Sequence, residues 1–312
     1  MTMRSTNPEP GSGPTRTTEI EINGPYDLRE VALMGFGHRD ERDFDGVMRL
    51  AFCVDGTYED QVGVEVRQRG STVELTVHDR PGHTADLDVV ARQVARVVSV
   101  DHDGEAWQRV CEGDPALHRL FAIAPGFRPA MFYSPYEATV WSIISARRAR
   151  SQGITLRNRL SAEHGATFDL AGVPTHSLPT PSTMLALESV PGLPQDRIPR
   201  LHAVAEATVR GRLDVQRLLA MSPEEAREDL QQLPGIGPFY SALIVIRALG
   251  LSDVLSSEES RSREAIRNLY GLDHDPSDAE IAALAENWRP FRTWATVMIR
   301  AIGGRLEPAA VA

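Results

Sequence analysis

Hydrophobic and polar positions follow a period of two in the first part of the chain. Apolar residues alternate with polar ones in two runs, which are Val62, Val64, Val66 and then Val73, Leu75, Val77. Alternation of this kind is typical of half-buried strands, and Arg69-Gly70-Ser71 between the runs is typical of a turn, so the pattern predicts a β-hairpin. With the apolar runs around Ile20–Ile22 and Val47–Phe52, it predicts a small antiparallel sheet.

After Pro81-Gly82 the period changes to that of a helix, and Leu87, Val90 and Val94 form one stripe. Similar stripes predict further helices over Gly104–Glu112, Tyr136–Arg150, Gly153–His164, Pro181–Val190, Ile198–Arg210, Val215–Ala220, Pro223–Gln231, Pro238–Leu249, Glu259–Tyr270, Asp278–Glu286 and Pro290–Ile302.

These patterns divide the chain into three parts. Residues 1–18 are rich in Pro, Gly, Ser and Thr and have almost no apolar content, so we expect a disordered tail. Residues 19–125 form an N-terminal α+β domain, and residues 126–312 form a mostly helical body. The predicted fold class is therefore α+β, with a small N-terminal antiparallel sheet and helices followed by the helical body.

The composition of the 312 residues, 42% hydrophobic and 24% charged, is typical of a globular protein. No stretch approaches the roughly 18 to 20 uninterrupted apolar residues of a membrane span, and the N-terminus lacks the apolar core of a secretory signal. We expect a cytoplasmic protein with no membrane partner.

Two residue types exclude several chemistries. Cys53 and Cys111 are too few for a disulfide framework, a Cys-rich zinc site or an iron–sulfur cluster. All 33 basic residues are arginine, and the absence of lysine excludes a lysine nucleophile or Schiff base. Only the N-terminal amine remains for such chemistry.

The charge balance gives two readings. The total of 33 basic and 43 acidic residues, net −10, argues against indiscriminate coating of nucleic acid. Residues 133–165 have a local balance of +3, which indicates either a nucleic-acid surface or a solvated helix face.

The most informative motif is Leu233-Pro234-Gly235-Ile236-Gly237-Pro238, which lies between two predicted helices. Two glycines permit a tight turn with positive φ, and proline suits the first turn of the following helix. Backbone N–H groups at such a turn can bind a phosphate. The alternative is an ordinary connection between two helices.

At this turn the chain begins to resemble a known family. The segment LPGIGPFYSALIVIRALG resembles the helix-hairpin-helix of the DNA glycosylase superfamily. Within that superfamily it is most similar to the 3-methyladenine DNA glycosylase II (alkylpurine glycosylase) branch. Two further helices of that family resemble SPYEATVWSIIS upstream and NWRPFRTWATVMIRAIG downstream. The resemblance extends from about residue 20 to about residue 305.

The resemblance implies a two-lobed helical body with a DNA cleft between the lobes. It also implies a monomeric, nucleoid-associated enzyme of base excision repair, whose partner is double-stranded DNA with damaged bases. Such an enzyme flips an alkylated purine out of the duplex and hydrolyses its N-glycosidic bond. Because the chain has no lysine, the activity is expected to be monofunctional, without strand cleavage.

The family's catalytic carboxylate is an aspartate about 20 positions after the aromatic residue that follows the hairpin, here Phe239. The resemblance therefore assigns catalysis to Glu259, which has one methylene more than aspartate. The alternative is that Glu259 forms a capping box with Ser256 at a helix N-terminus. Glu258 is a second candidate, and Asp253 lies too early in the sequence.

The resemblance also assigns other site residues. The loop that fills the gap left by the flipped base corresponds to Ala146-Arg147. Expected DNA contacts are Gly235, Ile236, Gly237, Arg147, Arg148 and Arg263, and expected base-pocket residues are Phe239, Tyr240, Trp141 and Arg300. No cofactor is required, but the backbone carbonyls of Gln231, Leu233 and Ile236 match the family's monovalent-cation site for Na⁺ or K⁺.

Two alternative functions remain. Glu259, Arg147 and Arg300 depart from the family pattern, so the chain is either an active alkylpurine glycosylase or a catalytically silent DNA-binding, damage-sensing protein. A third reading is a glycosylase for a bulky or neutral lesion, because an arginine such as Arg300 repels a cationic base.

Overall fold

The computed structural model describes residues 13–37, 39, 43–255 and 260–306. Within these ranges the strands are β1 Thr15–Glu21, β2 Met48–Cys53, β3 Gln61–Arg69, β4 Thr72–Asp79, β5 Thr167–Leu170 and β6 Val173–His176. The helices are α1 Leu28–Leu33, α2 Leu87–Val97, α3 Gly104–Gly113, α4 Pro115–Ile123, α5 Pro135–Ser145, α6 Arg150–His164, α7 Pro181–Leu185, α8 Ile198–Val209, α9 Val215–Leu219, α10 Pro223–Gln231, α11 Pro238–Ala248, α12 Ser260–Tyr270, α13 Asp278–Ala285 and α14 Arg292–Ile302. The predicted α+β fold class is confirmed.

The N-terminal sheet has the strand order β1-β4-β3-β2, and all its neighbouring pairs are antiparallel. The predicted hairpin is β3–β4, in which Val64 pairs with Val77 and Val66 pairs with Leu75. These four side chains are buried on one face, because alternation places every second residue in the core. Helix α1 and helix α2 complete this core.

The tail prediction is wrong for residues 15–18, which form the first half of β1. This edge strand pairs with β4, and Arg16 forms a 2.8 Å ion pair with the buried Asp79. Its residues alternate between exposed and half-buried, so backbone pairing rather than apolar content holds it. Residues 1–12 lie outside the described residues.

The helical body has two lobes, each with its own core. One core contains α5 to α11, and the other contains α3, α4 and α12 to α14. Helices α3 and α4 were expected in the N-terminal domain but pack instead on the C-terminal helices, where Trp107 meets Trp294 edge-on at 5.7 Å between ring centroids. No helix in the described part of the chain is long and apolar enough to cross a bilayer.

A second hairpin, β5–β6, lies between α6 and α7 and was not predicted. It packs on β2 and β3, and a Cβ at Gly63 would lie 2.6 Å from the Phe168 ring. Each strand has four residues of mixed polarity, so the sequence carries too short a pattern to indicate it. The hairpin joins the helical body to the N-terminal sheet.

A buried ion pair connects the same two parts at the start of α5. One oxygen of Glu137 accepts a 3.1 Å hydrogen bond from the Cys53 N–H, and the other lies 3.7 Å from the Arg157 guanidinium. Arg157 also donates to the His176 carbonyl at 3.1 Å. Burial raises the pKa of Glu137 to about 7, although Arg157 acts in the opposite direction.

We predict that this carboxyl group makes stability depend on pH. Between about pH 4.5 and 7 the folded protein holds a proton on Glu137 that the unfolded chain releases, so the free energy of unfolding falls as pH rises. Urea unfolding measures this dependence. Between pH 5 and pH 8 the free energy of unfolding of Glu137→Gln should rise by about 2 kcal/mol relative to that of wild type.

The exposed residue Glu188 provides a matched control, because Glu188→Gln makes the same chemical change outside the core. This variant should follow the wild-type pH profile. Parallel pH profiles for wild type and Glu137→Gln would contradict the assignment.

Candidate nucleic-acid interface and base pocket

The turn between α10 and α11 has the backbone that its glycines predict. Gly235 has a φ of +92°, in the left-handed region, and the Ile236 N–H donates to the Leu233 carbonyl at 3.1 Å. Gly237 is the N-cap of α11, and Pro238 begins the helix. The buried Ile236 side chain anchors the turn in the core.

Several backbone N–H groups of this turn have no hydrogen-bond partner among the described residues. Within the described residues, the amides of Gly235, Gly237 and Phe239 donate to no hydrogen bond. Free amides at a helix N-terminus combine with the helix dipole to favour an anion such as a phosphate. The turn is therefore suited to anion binding.

Close packing fixes the turn against two other helices. A Cβ atom at Gly235 would lie 3.0 Å from Ile143 Cδ1 on α5 and 3.1 Å from Arg200 Cδ on α8. Both contacts are tighter than ordinary van der Waals separation, so a side chain at this position would displace the turn.

A cavity of about 620 Å³ opens beside the turn, and we call it the hairpin cavity. Its lining consists of residues 231–237 and Tyr240 together with Ala146, Arg147, Asp196, Arg197 and Arg200. Arg200 pairs with Asp196 at 3.3 Å. Three arginines against one aspartate give this described lining a positive charge, which reinforces the free amides.

The carbonyl groups expected to hold a monovalent cation belong to the same lining. The Leu233 oxygen accepts the Ile236 N–H, whereas the carbonyls of Gln231 and Ile236 accept no hydrogen bond from the described residues. Their lone pairs remain available to a hard cation. Among the described residues no group of three or more His, Cys, Asp or Glu is arranged to hold a metal.

The expected gap-filling residues form a tight turn at the end of α5. Ala146 has φ −55° and ψ 127°, Arg147 has φ +60°, and the Arg148 N–H donates to the Ser145 carbonyl at 3.1 Å. These values describe a type II β-turn, whose third position usually holds Gly or Asn. An arginine there stores roughly 1–3 kcal/mol of strain, a feature that clusters at functional sites.

A second cavity, of about 540 Å³, lies between the two helical lobes, and we call it the aromatic cavity. Aromatic rings among its described lining are those of Phe36, Phe132, Trp141, Phe239 and Tyr240. Phe239 is 48% exposed and meets Tyr240 edge-on at 5.2 Å between centroids. Tyr240 lines both cavities, so the two are adjacent.

The polar part of the aromatic cavity is rich in arginine. The described lining includes Arg148, Arg150, Arg247 and Arg300, together with the hydroxyl residues Ser145, Ser262, Thr293 and Thr296, and it includes no carboxylate. Arg300 and Trp141, two residues expected in a base pocket, lie at this cavity. Phe239 and Tyr240 are there as well.

Sequence reasoning missed a loop of the N-terminal domain that closes one side of the aromatic cavity. Phe36 packs on Phe132 at 4.7 Å between centroids, and the Arg247 guanidinium lies 3.7 Å from the Phe36 ring centre. Arg150 donates to the Gly35 carbonyl at 2.9 Å and to the Gly37 carbonyl at 3.2 Å.

The sequence did contain a signal for this loop. Gly35 and Gly37 flank Phe36, and both glycines have positive φ. A Cβ at Gly37 would lie 2.5 Å from the Phe132 ring. The Gly-Phe-Gly pattern was therefore the signal, because the glycine at position 37 lets the backbone approach the Phe132 ring closely.

The two remaining expected DNA contacts differ in their position. The Arg148 guanidinium is exposed and donates to the Gly192 carbonyl at 3.4 Å. Arg263 lines neither the hairpin cavity nor the aromatic cavity, and its guanidinium binds Asp278 and the Pro276 carbonyl. Its role in DNA contact stays a prediction.

The expected catalytic residue Glu259, with Glu258 and the capping partner Ser256, lies outside the described residues. Val254 before this segment and Ser262 after it both line the aromatic cavity. Asp253, which the spacing disfavours, does not line this cavity. Its carboxylate instead accepts 2.7 Å and 3.1 Å hydrogen bonds from Arg292 and Arg289.

Comparisons with known proteins agree with this geometry. No family model matches the chain. The chain is 26% identical over 216 residues to the probable bifunctional transcriptional activator/DNA repair enzyme AlkA of Mycobacterium tuberculosis, covering 68% of this chain but only 42% of that relative. It is 25% identical over 221 residues to DNA-3-methyladenine glycosylase 2 of Escherichia coli, covering 69% of this chain and 74% of that protein.

Solved structures share the fold. The 3-methyladenine DNA glycosylase of Archaeoglobus fulgidus superposes with a TM-score of 0.74 at 20% identity, covering 92% of this chain and 98% of that one. The 8-oxoguanine glycosylase/lyase of Clostridium acetobutylicum superposes with a TM-score of 0.63 at 16% identity, covering 91% and 98%. Sequence relatives, shared fold and the hairpin motif together confirm the resemblance to the helix-hairpin-helix DNA glycosylases.

Proposed function

We propose that the protein is a monofunctional DNA glycosylase that excises damaged purines during base excision repair. The observation that carries this proposal is the shared wall between the two cavities. Tyr240 lines both the positively charged hairpin cavity and the aromatic cavity. A duplex whose phosphates bind at the hairpin cavity is therefore adjacent to the aromatic cavity, which can accept a base.

Phosphate binding rests on the hairpin. The free amides of Gly235 and Gly237, with Arg147 and Arg200 in the same cavity, supply donors and positive charge. Such contacts position a duplex without reading its sequence, which suits an enzyme that acts wherever damage occurs. The net charge of −10 is compatible with this role, because local charge governs the encounter.

Base recognition rests on the aromatic cavity. Its volume of about 540 Å³ is of the size that proteins use for small ligands. Aromatic side chains bind the faces of any purine by stacking, and a damaged base leaves the duplex at lower cost than an intact one. Phe239, half-exposed at the entrance, is the first ring that a flipped base would meet.

We assign the chemistry to Glu259. The C1′–N bond breaks with its electron pair leaving on the base, and the carboxylate stabilises the developing positive charge on the sugar. Water then adds its hydroxyl group to C1′ and gives its proton to the carboxylate. The products are a free base and an abasic site, and the absence of lysine leaves no side chain that forms a Schiff base for strand cleavage.

The remaining assignments follow from the same site. We propose that Na⁺ or K⁺ binds the carbonyls of Gln231, Leu233 and Ile236, where it would stiffen the hairpin and add positive charge near a phosphate. We further propose that the protein acts as a monomer on DNA in the cytoplasm.

A second candidate function differs only in the lesion. Four arginines belong to the described lining of the aromatic cavity, and their positive charge favours a neutral base over a cationic alkylpurine. The enzyme would then release little 3-methyladenine and more of another adduct.

Release of free methylpurines from methylated duplex DNA, followed by chromatography, tests the proposed activity. Wild type should release free base without breaking the strand. Glu259→Gln should lower the rate at least about 100-fold, because it removes a charge at the reacting centre. The neighbouring Glu258→Gln is the matched control and should retain wild-type release.

Equal rates for wild type and Glu259→Gln would reject Glu259 as the catalytic group. A folded wild-type protein that binds DNA but releases none of a panel of cationic and neutral damaged bases would instead be a silent damage-binding protein.

We predict that Gly235→Ala weakens binding to undamaged duplex about tenfold. Alanine at a φ of +92° costs roughly 1–2 kcal/mol, and its Cβ would press on Ile143 and displace the amides. Fluorescence anisotropy with labelled duplex measures the dissociation constant.

Gly211→Ala is the matched control, because Gly211 also has positive φ, at +75°, but its added Cβ meets no atom of the described residues within 4 Å. Gly211→Ala should lose thermal stability through its positive φ alone, and only Gly235→Ala should lose affinity. Unchanged affinity in Gly235→Ala would show that the hairpin does not hold the duplex.

A further inference from the structure

Helix α5 ends in carbonyl groups that the helix itself cannot satisfy. After Ser145 the type II turn carries the chain away, so no backbone N–H of the described residues reaches the carbonyls of Ile143 and Ala146. Such carbonyls also form the negative end of the helix dipole. A cationic donor placed here stabilises both the helix end and the turn that follows it.

Arg197 supplies that donor from another part of the chain. Its Nη1 donates to the Ile143 carbonyl at 2.6 Å, and its Nη2 lies 3.4 Å from the Ala146 carbonyl. Arg197 is the N-cap residue of α8, so its backbone is set by a different helix from the one it holds. Its guanidinium therefore joins α8 to the start of the turn at 145–148.

Among the described residues, the charge of Arg197 is directed to these carbonyls alone. Within the described residues no carboxylate lies within 4.0 Å of its guanidinium, whereas the neighbouring Arg200 pairs with Asp196. Both Arg197 and Arg147 line the hairpin cavity. The held turn is thus next to the surface on which the duplex would lie.

The turn needs external support because Arg147 is strained. A non-glycine residue with a φ of +60° persists where its surroundings over-determine it. The Ser145–Arg148 hydrogen bond closes the turn from inside, and the Arg197 contact to Ala146 fixes it from outside.

We propose that Arg197 is a positioning residue that holds the turn at 145–148, so that Arg147 enters the gap left by a flipped base. The inference rests on the proposed DNA binding and extends it. It assigns to Arg197 a role in the turn rather than in phosphate contact, because two of its N–H groups are committed to α5.

Fluorescence of 2-aminopurine tests this role without requiring any base excision. The probe stands beside a tetrahydrofuran abasic analogue in a duplex, and its emission rises when a side chain separates the bases. Arg147→Ala and Arg197→Gln should each lower the rise in emission at least about twofold. The double variant should show the same rise as the single variants, since the two residues act as one unit.

Two further variants separate position from charge. Arg197→Lys keeps a cation at the end of α5 and should recover at least half of the lost emission. Arg210→Gln removes a positive charge just after α8, where Arg210 pairs with Glu206 at 3.0 Å outside both cavities, and it should behave as wild type.

Salt titration distinguishes a positioning residue from a phosphate ligand. Arg197→Gln should leave the slope of log binding constant against log salt unchanged, whereas a lost phosphate contact lowers it by about 0.9. A lowered slope, wild-type emission from Arg197→Gln, or no emission rise with the wild-type protein would each overturn the inference. Base release measured separately reports on the proposed function, so the two can fail independently.

Discussion

Helix α5 is buried along its whole length, so the polar groups at its two ends need partners within the protein. At its start, the Glu137 side chain accepts a hydrogen bond from the Cys53 N–H of the N-terminal sheet and lies beside Arg157 on α6. At its end, the guanidinium of Arg197, the N-cap residue of α8, donates to the carbonyls of Ile143 and Ala146. The position of α5 therefore fixes both the junction of the domains and the turn that carries Arg147.

The same helix connects the two cavities. Trp141 of α5 lines the aromatic cavity, and Ile143 packs against the hairpin glycine Gly235. Helix α5 is close-packed against its neighbours, so a shift of α5 would move three features together. These are Trp141 in the wall of the aromatic cavity, the hairpin at Gly235 and the turn that carries Arg147. Rigid placement of this kind suits the proposed excision of a flipped base, since small misplacements slow reactions strongly.

Much of this arrangement was predictable because local sequence dictates it. Alternation gave the β3–β4 hairpin, Gly235 and Gly237 indicated the turn at a helix N-terminus, and the motifs beside them indicated the superfamily. The aromatic cavity residues Trp141 and Tyr240 followed from the resemblance. In each case a short pattern carries its own physical reason, such as a period or a positive φ.

The unpredicted features depend on contacts between distant segments. Phe36 reaches the aromatic cavity only because the N-terminal domain packs on the helical body, and the β5–β6 hairpin exists because Phe168 fits above Gly63. Binding of a transition-state mimic tests the proposal that the Glu259 carboxylate stabilises positive charge on the sugar of a flipped nucleotide. At pH 7, a duplex with a cationic pyrrolidine ring at one site should bind at least about 100-fold more tightly than one with uncharged tetrahydrofuran. Equal affinities for the two duplexes would contradict it.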